Sequence, residues 1–170
     1  MAASLTLWGQ TMGIEALWRK QPEQVAKGLL GRQLSRTFPN RSNITGRILE
    51  VSAWRATNGD SHTHKFPDYG VGVMSISSRY GKYLADITVG NGNSCVTLIA
   101  AEFELEGKIY RAQGPGNLCK FLQLDPSFDG YNLINGRELR VRGLAADEKL
   151  VRMRKKSNSP ANCVGYYYIR

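Results

Sequence analysis

Between Gly46 and Phe66 the chain reads GRILEVSAWRATNGDSHTHKF, and this stretch concentrates residues able to do chemistry. It holds Glu50, Asp60, His62 and His64, and these two histidines are the only ones in the sequence. A carboxylate near imidazoles is the material of general acid–base catalysis. The first half has the apolar and β-branched character of a strand, and the second half is polar, so the segment predicts a strand running into a loop. At such a junction a rigid element ends where solvent and ligand begin. On a regular strand Glu50, Ser52 and Trp54 face the same way. A hydrolase would place a second carboxylate on that face, and the strand offers Ser52.

The elements that position these residues are readable around them. PEQVAKGLLG, from Pro22, predicts a helix, with Pro in its first turn, Glu23 beside the dipole and Gly31 after its end. Val25, Ala26, Leu29 and Leu30 share one face of it as core. ITGRILEVSAW, GVMSIS, KYLADITV, SCVTLIAAEF and RELRVRGL predict strands, with a hairpin turn at GNGNS between two of them. GPGNLCKFLQL predicts a Gly-Pro-Gly turn opening a short amphipathic helix, and Trp8, Leu17 and Trp18 predict an N-terminal arm that packs down. RMRKK, Arg152 to Lys156, reads as a solvated loop. With no repeat and no linker, the expectation is one α+β domain over residues 1–170. It has a curved, mostly antiparallel sheet, short helices and a protruding β-hairpin.

Composition narrows the function. Hydrophobic residues make up 42% of 170, enough for a real core, and no apolar run approaches a membrane span. The start of the chain has no basic segment before an apolar one, so no targeting peptide is expected. Cys95, Cys119 and Cys163 are odd in number and far apart, which points to reduced thiols, a cytoplasmic protein and no metal site. The net charge of +9, spread along the chain, favours a polyanionic partner, usually nucleic acid.

Four motifs occur together: VAKGLLGRQL, GRILEVSAW…DSHTH, RYGKYL…CVTLIAAE and QGPGNLCKFLQLDPSFDGYNL. In this order they resemble the alkyladenine (3-methyladenine) DNA glycosylase family over residues 22 to about 143, and the tail GYYYIR resembles its last strand. The resemblance implies a monomer without cofactor or metal. It would flip a damaged base out of double-stranded DNA and hydrolyse the N-glycosidic bond to leave an abasic site. It implies a wedge at Tyr80 in RYGKY, with Tyr83 beside it and Arg79 and Lys82 toward phosphate. Asn117 and Lys120 join the DNA-binding set. It implies a base pocket at Ser52, Trp54, His64, Ser77 and Ile99.

The sequence departs from the family in that pocket. The family strand reads Glu-x-Glu-Ala-Tyr, and here the second, catalytic Glu is Ser52 and the stacking Tyr is Trp54. A second stacking Tyr is Ser77, an Arg is Ile99, and an Asn falls at or next to Asp86. The acid is therefore expected to have moved to Asp86, with Glu50 as the competing candidate unless it bonds Arg47 or a backbone amide. Three readings follow: a working glycosylase, an inactive module that binds a modified base, and a basic RNA-binding domain. For a glycosylase the smaller side chains suggest a bulky base, such as glucosylated hydroxymethylcytosine of phage DNA, as antiviral defence. Repair of alkylated or deaminated purines is the family default.

Overall fold

The computed structural model describes residues 14–55 and 69–170. A helical segment over residues 14–18 buries Leu17 and Trp18, as expected of the arm; Trp8 lies outside the described residues. Helix α1, Pro22–Leu29, forms where predicted. The Gln21 N–H donates to Gln24 Oε1, closing the first turn, and Gly31 at φ 83° lets the chain leave the last one. Its Val25, Ala26 and Leu29 pack inward against the sheet.

The described residues form nine strands: β1 (Gln33–Thr37), β2 (Asn43–Arg55), β3 (Met74–Arg79), β4 (Lys82–Val89), β5 (Ser94–Leu105), β6 (Lys108–Gln113), β7 (Leu139–Arg142), β8 (Arg152–Arg154) and β9 (Cys163–Tyr168). Helix α2, Pro115–Leu122, opens after Gly114 at φ 97°. All strand pairs are antiparallel, and the longest path across the sheet runs β3-β4-β5-β2-β1-β7. The long strands β2 and β5 form a spine that branches. One half of β2 pairs with β1 and the other with β9, while β5 takes β4 at its start and β6 at its end. The result is a single compact α+β domain with an open antiparallel sheet.

A pair of irregularities in the spine decides what faces where. Ile48 pairs with Ala101, Glu50 with Ala100 and Val51 with Leu98, so Leu49 and Ile99 are each an extra residue. Each bulge changes the phase of its strand. Before it, Gly46 and Ile48 are the buried positions of β2; after it, Leu49, Val51 and Ala53 join the core cluster. Glu50, Ser52 and Trp54 are thereby turned onto the opposite face.

Strands β1, β6 and β8 were not predicted. Each is short and polar, and it pairs because a longer neighbour presents an open edge. The reading of RMRKK as a loop is corrected: Arg152–Arg154 is a strand laid against β9, exposed along its length. Among the described residues no helix is long and apolar enough to cross a membrane.

Candidate active site

On the face of the spine away from α1 lies a cavity of about 410 Å³. Its floor is one transverse row of cross-strand partners. Ser75 pairs with Asp86, Asp86 with Thr97, Thr97 with Ser52, Ser52 with Tyr166, and Tyr166 with Arg154. Directly opposed residues share a face of a sheet, so within the cavity the Asp86 carboxyl and the Arg154 guanidinium flank the hydroxyl groups of Thr97, Ser52 and Tyr166. Leu84, Cys95 and Ile99 give the cavity apolar surface, and Gln113, Gly114 and Pro115 close it at the start of α2.

Asp86 is 7% exposed, and its Oδ1 accepts a 2.5 Å hydrogen bond from Thr97 Oγ1. Its charge is felt nearby. Burial first, and then Asp86, push the Cys95 thiol well above its ordinary value. The Cys119 thiol is pushed up to about 12 by burial and by Asp86, against a backbone hydrogen bond from Ala85.

Glu50 is 4% exposed but heavily engaged. Arg154 Nη2 donates to its Oε1 at 2.5 Å and Gln113 Nε2 to its Oε2 at 3.0 Å, across the small Ala100 that pairs with both strands. Arg47, its expected partner, instead lies 3.6 Å from Glu102. Ser52, fully buried, accepts a 2.8 Å hydrogen bond from Trp54 Nε1. The indole stands edge-on to Tyr166 with ring centroids 6.4 Å apart. The serine in the catalytic glutamate's place thus holds an aromatic wall in position.

Beside the cavity, β3 and β4 form a hairpin whose two turn residues are Tyr80 and Gly81, at φ 51° and 75°. Positive φ at both positions is the signature of a type I′ turn, which matches strand twist. Tyr80 is 103% exposed, so its ring projects into solvent. Arg79 is paired with Lys82 across the turn and lines the cavity. Lys82 Nζ donates to Asn117 Oδ1 at 3.0 Å and its stem lies against Gly116, which ties hairpin to helix.

A family model described as Methylpurine-DNA glycosylase matches residues 16–158. The chain belongs to that family. Three relatives carry the name "Putative 3-methyladenine DNA glycosylase". One from Herpetosiphon aurantiacus is 31% identical over 64% of this chain and 60% of its own length. One from Synechococcus elongatus is 32% identical over 69% of this chain and 67% of its own length. One from Borreliella burgdorferi is 29% identical over 86% and 89%. The chain thus spans about 60% of the length of the first of these.

Of the residues expected at a glycosylase-family site, the structure brings Asp86, Glu50, Ser52, Trp54, Ile99 and Arg79 around one cavity. Tyr80, Lys82, Tyr83, Asn117 and Lys120 cluster on the adjoining hairpin and α2. Ser77 pairs with Leu84 but does not line the cavity, and its Oγ is buried without a hydrogen bond among the described residues. Asp60, His62 and His64 lie outside the described residues. Sequence reasoning missed Arg154, Lys156 and Tyr166, which form the far wall. The aromatic tail GYYYIR, read as the last strand, signals the strand that carries Tyr166, but nothing local signals Arg154.

Proposed function

We propose that this chain is a monofunctional DNA N-glycosylase that acts as a monomer on double-stranded DNA and uses Asp86 as its acid. The observation that carries this reading is a buried carboxylate on β4, the strand that also leads out of the exposed Tyr80 turn. Wedge and acid then ride on one hairpin. Tyr80 fills the gap in the base stack, Arg79, Lys82 and Lys120 meet phosphates, and the extruded base enters the cavity against Trp54.

Cleavage breaks the bond between C1′ and the base nitrogen, and the electron pair leaves with the base. The sugar becomes oxocarbenium-like, and the Asp86 carboxylate stabilises that charge and orients a water. The water oxygen bonds to C1′ while its proton passes to Asp86, which returns it to solvent as the departing base takes one up. Glu50 is the weaker candidate because Arg154 lies on it. A sugar cation beside that pair meets a carboxylate whose charge is already compensated.

A cavity of about 410 Å³ belongs to the range of sites for whole small molecules. The finer reading is therefore a base with a large substituent, such as a hypermodified phage base excised in defence. The names of the relatives favour a second reading, repair of alkylated purines such as 3-methyladenine. The test is single-turnover excision from a panel of modified duplexes and phage genomes by wild type, Asp86→Asn, Glu50→Gln and Ser52→Ala. Efficient release of 3-methyladenine with no activity on bulky bases would select repair. Absence of abasic sites in every reaction would leave a module that binds modified bases without cutting.

A further inference from the structure

We propose that the β8–β9 wall selects a base whose substituent ends in an acidic group, a carboxylate or a phosphate. This rests on the glycosylase reading and narrows its substrate class. Among the described residues, Arg79, Arg154 and Lys156 are the cationic side chains that line the cavity, and Asp86 and Glu50 are the carboxylates. The Glu50 charge is matched by Arg154. That contact uses one of the five guanidinium donors, and the Arg154 side chain is 53% exposed at the cavity lining. Lys156 has no carboxylate partner among the described residues.

Both cations lie near the Tyr166 ring, and Arg154 is also 5.6 Å from the Tyr168 centroid. The Arg154 guanidinium lies 5.8 Å from the Tyr166 centroid and the Lys156 ammonium 5.3 Å from it. Tyr166 itself is held from both sides, by β2 and by β8. Two cations over a fixed aromatic platform are built to take an anion with charge-assisted hydrogen bonds. A neutral substituent there would strip water from the ammonium without replacing it.

The position suits a substituent on the base. Arg154 closes the floor row four interstrand steps of about 4.8 Å from Asp86. An anion held there is kept away from the acid that must face the sugar. It is also on the opposite flank of the spine from the Tyr80 hairpin, where the backbone phosphates are met.

The experiment uses duplexes carrying one modified base each, in two isosteric pairs. These are N6-carboxymethyladenine with N6-carbamoylmethyladenine, and 5-carboxycytosine with 5-carbamoylcytosine. Equilibrium binding and single-turnover excision are measured for wild type, Arg154→Gln and Lys156→Gln. The carboxylate member of at least one pair is expected to be favoured about tenfold or more, the scale of one charge-assisted hydrogen bond. The ratio is expected to fall toward one in both variants. Lys156→Gln changes an exposed side chain that pairs with no acid among the described residues, so it reads the wall even where Arg154→Gln loosens Glu50. Equal handling of each pair by wild type overturns the inference, as does a preference that survives both variants. Weakening of all four duplexes alike, with a shallower salt dependence, would place a backbone phosphate on this wall and also overturn it. A binding preference without any excision would uphold the inference and overturn the glycosylase reading alone.

Discussion

The two flanks of the spine are built in opposite ways. The hairpin flank carries an eight-residue strand, β4, hydrogen-bonded on both sides by β3 and β5 and buried along its second half. The β8 flank is three residues long, exposed throughout, and bonded only to β9. Ladders on both sides hold the first in place; a single ladder to β9, an ion pair to Glu50 and contacts over tyrosine rings hold the second. Chemistry needs a group fixed to a fraction of an ångström, and selection needs reach and charge. The proposed catalytic carboxylate accordingly sits on the doubly bonded strand, and the cations proposed to discriminate sit on the edge.

The largest expected effect tests that division. Asp86→Asn keeps size and removes charge, and excision is expected to fall at least about 100-fold in a single-turnover assay, as for a lost catalytic base. Glu50→Gln is expected to lose much less. A dead Glu50→Gln beside a normal Asp86→Asn would move the chemistry off the hairpin and break the comparison.

Next comes the tip of the same flank. Tyr80→Ser is expected to weaken flipping by a few kcal/mol, the scale of unstacking a base step, read as base-analogue fluorescence in the bound duplex. Its melting temperature is expected to stay close to wild type, because the ring projects into solvent. Unfolding of this variant would mean that the turn is structural.

A substitution in the spine is expected to affect both flanks together. A Cβ on Gly46 would lie 2.4 Å from Phe103 Cδ1 and 2.5 Å from the Glu102 carbonyl oxygen. Gly46→Ala is therefore expected to cost about 1–3 kcal/mol in denaturant unfolding, with excision per folded molecule preserved. Loss of one flank's function alone would show the two to be independent of the spine.

Smaller effects sharpen the contrast. Log K for DNA is expected to fall linearly with log salt, and Lys82→Gln to lower that slope by about one. Lys156→Gln is expected to leave the slope of unmodified duplex unchanged. Last, Cys119, pushed up to about 12, and the raised Cys95 are almost wholly protonated at pH 7–8. Alkylation of native protein there is expected to be slow, and fast only after denaturation, because the thiolate is the reactive form.

Much of this was legible from the chain. Alternation marks the long strands, and Arg-Tyr-Gly-Lys marks a tight turn with an aromatic where folding alone would ask for Gly or Asn. The phase change in β2 left a trace, the adjacent apolar pair Ile48–Leu49, but that trace becomes a bulge only against a partner strand. What was illegible depends on distance along the chain. Arg154 reaches Glu50 across 104 residues, and a short run of cations looks the same whether it meets water or a buried acid. Ser52 looked like a lost carboxylate. Its partner is two residues away on the same strand, and only the fixed indole reveals what the hydroxyl does.

Tyr80 at φ 51° has a meaning for how this sequence drifts over time. A left-handed backbone costs an L-residue with a side chain about 1–2 kcal/mol, and an aromatic ring in bulk solvent returns none of it. Tyr80→Gly is therefore expected to make a more stable protein. Under mutation with selection for folding alone the tyrosine would be lost early, and its presence records a demand on this chain that stability does not make.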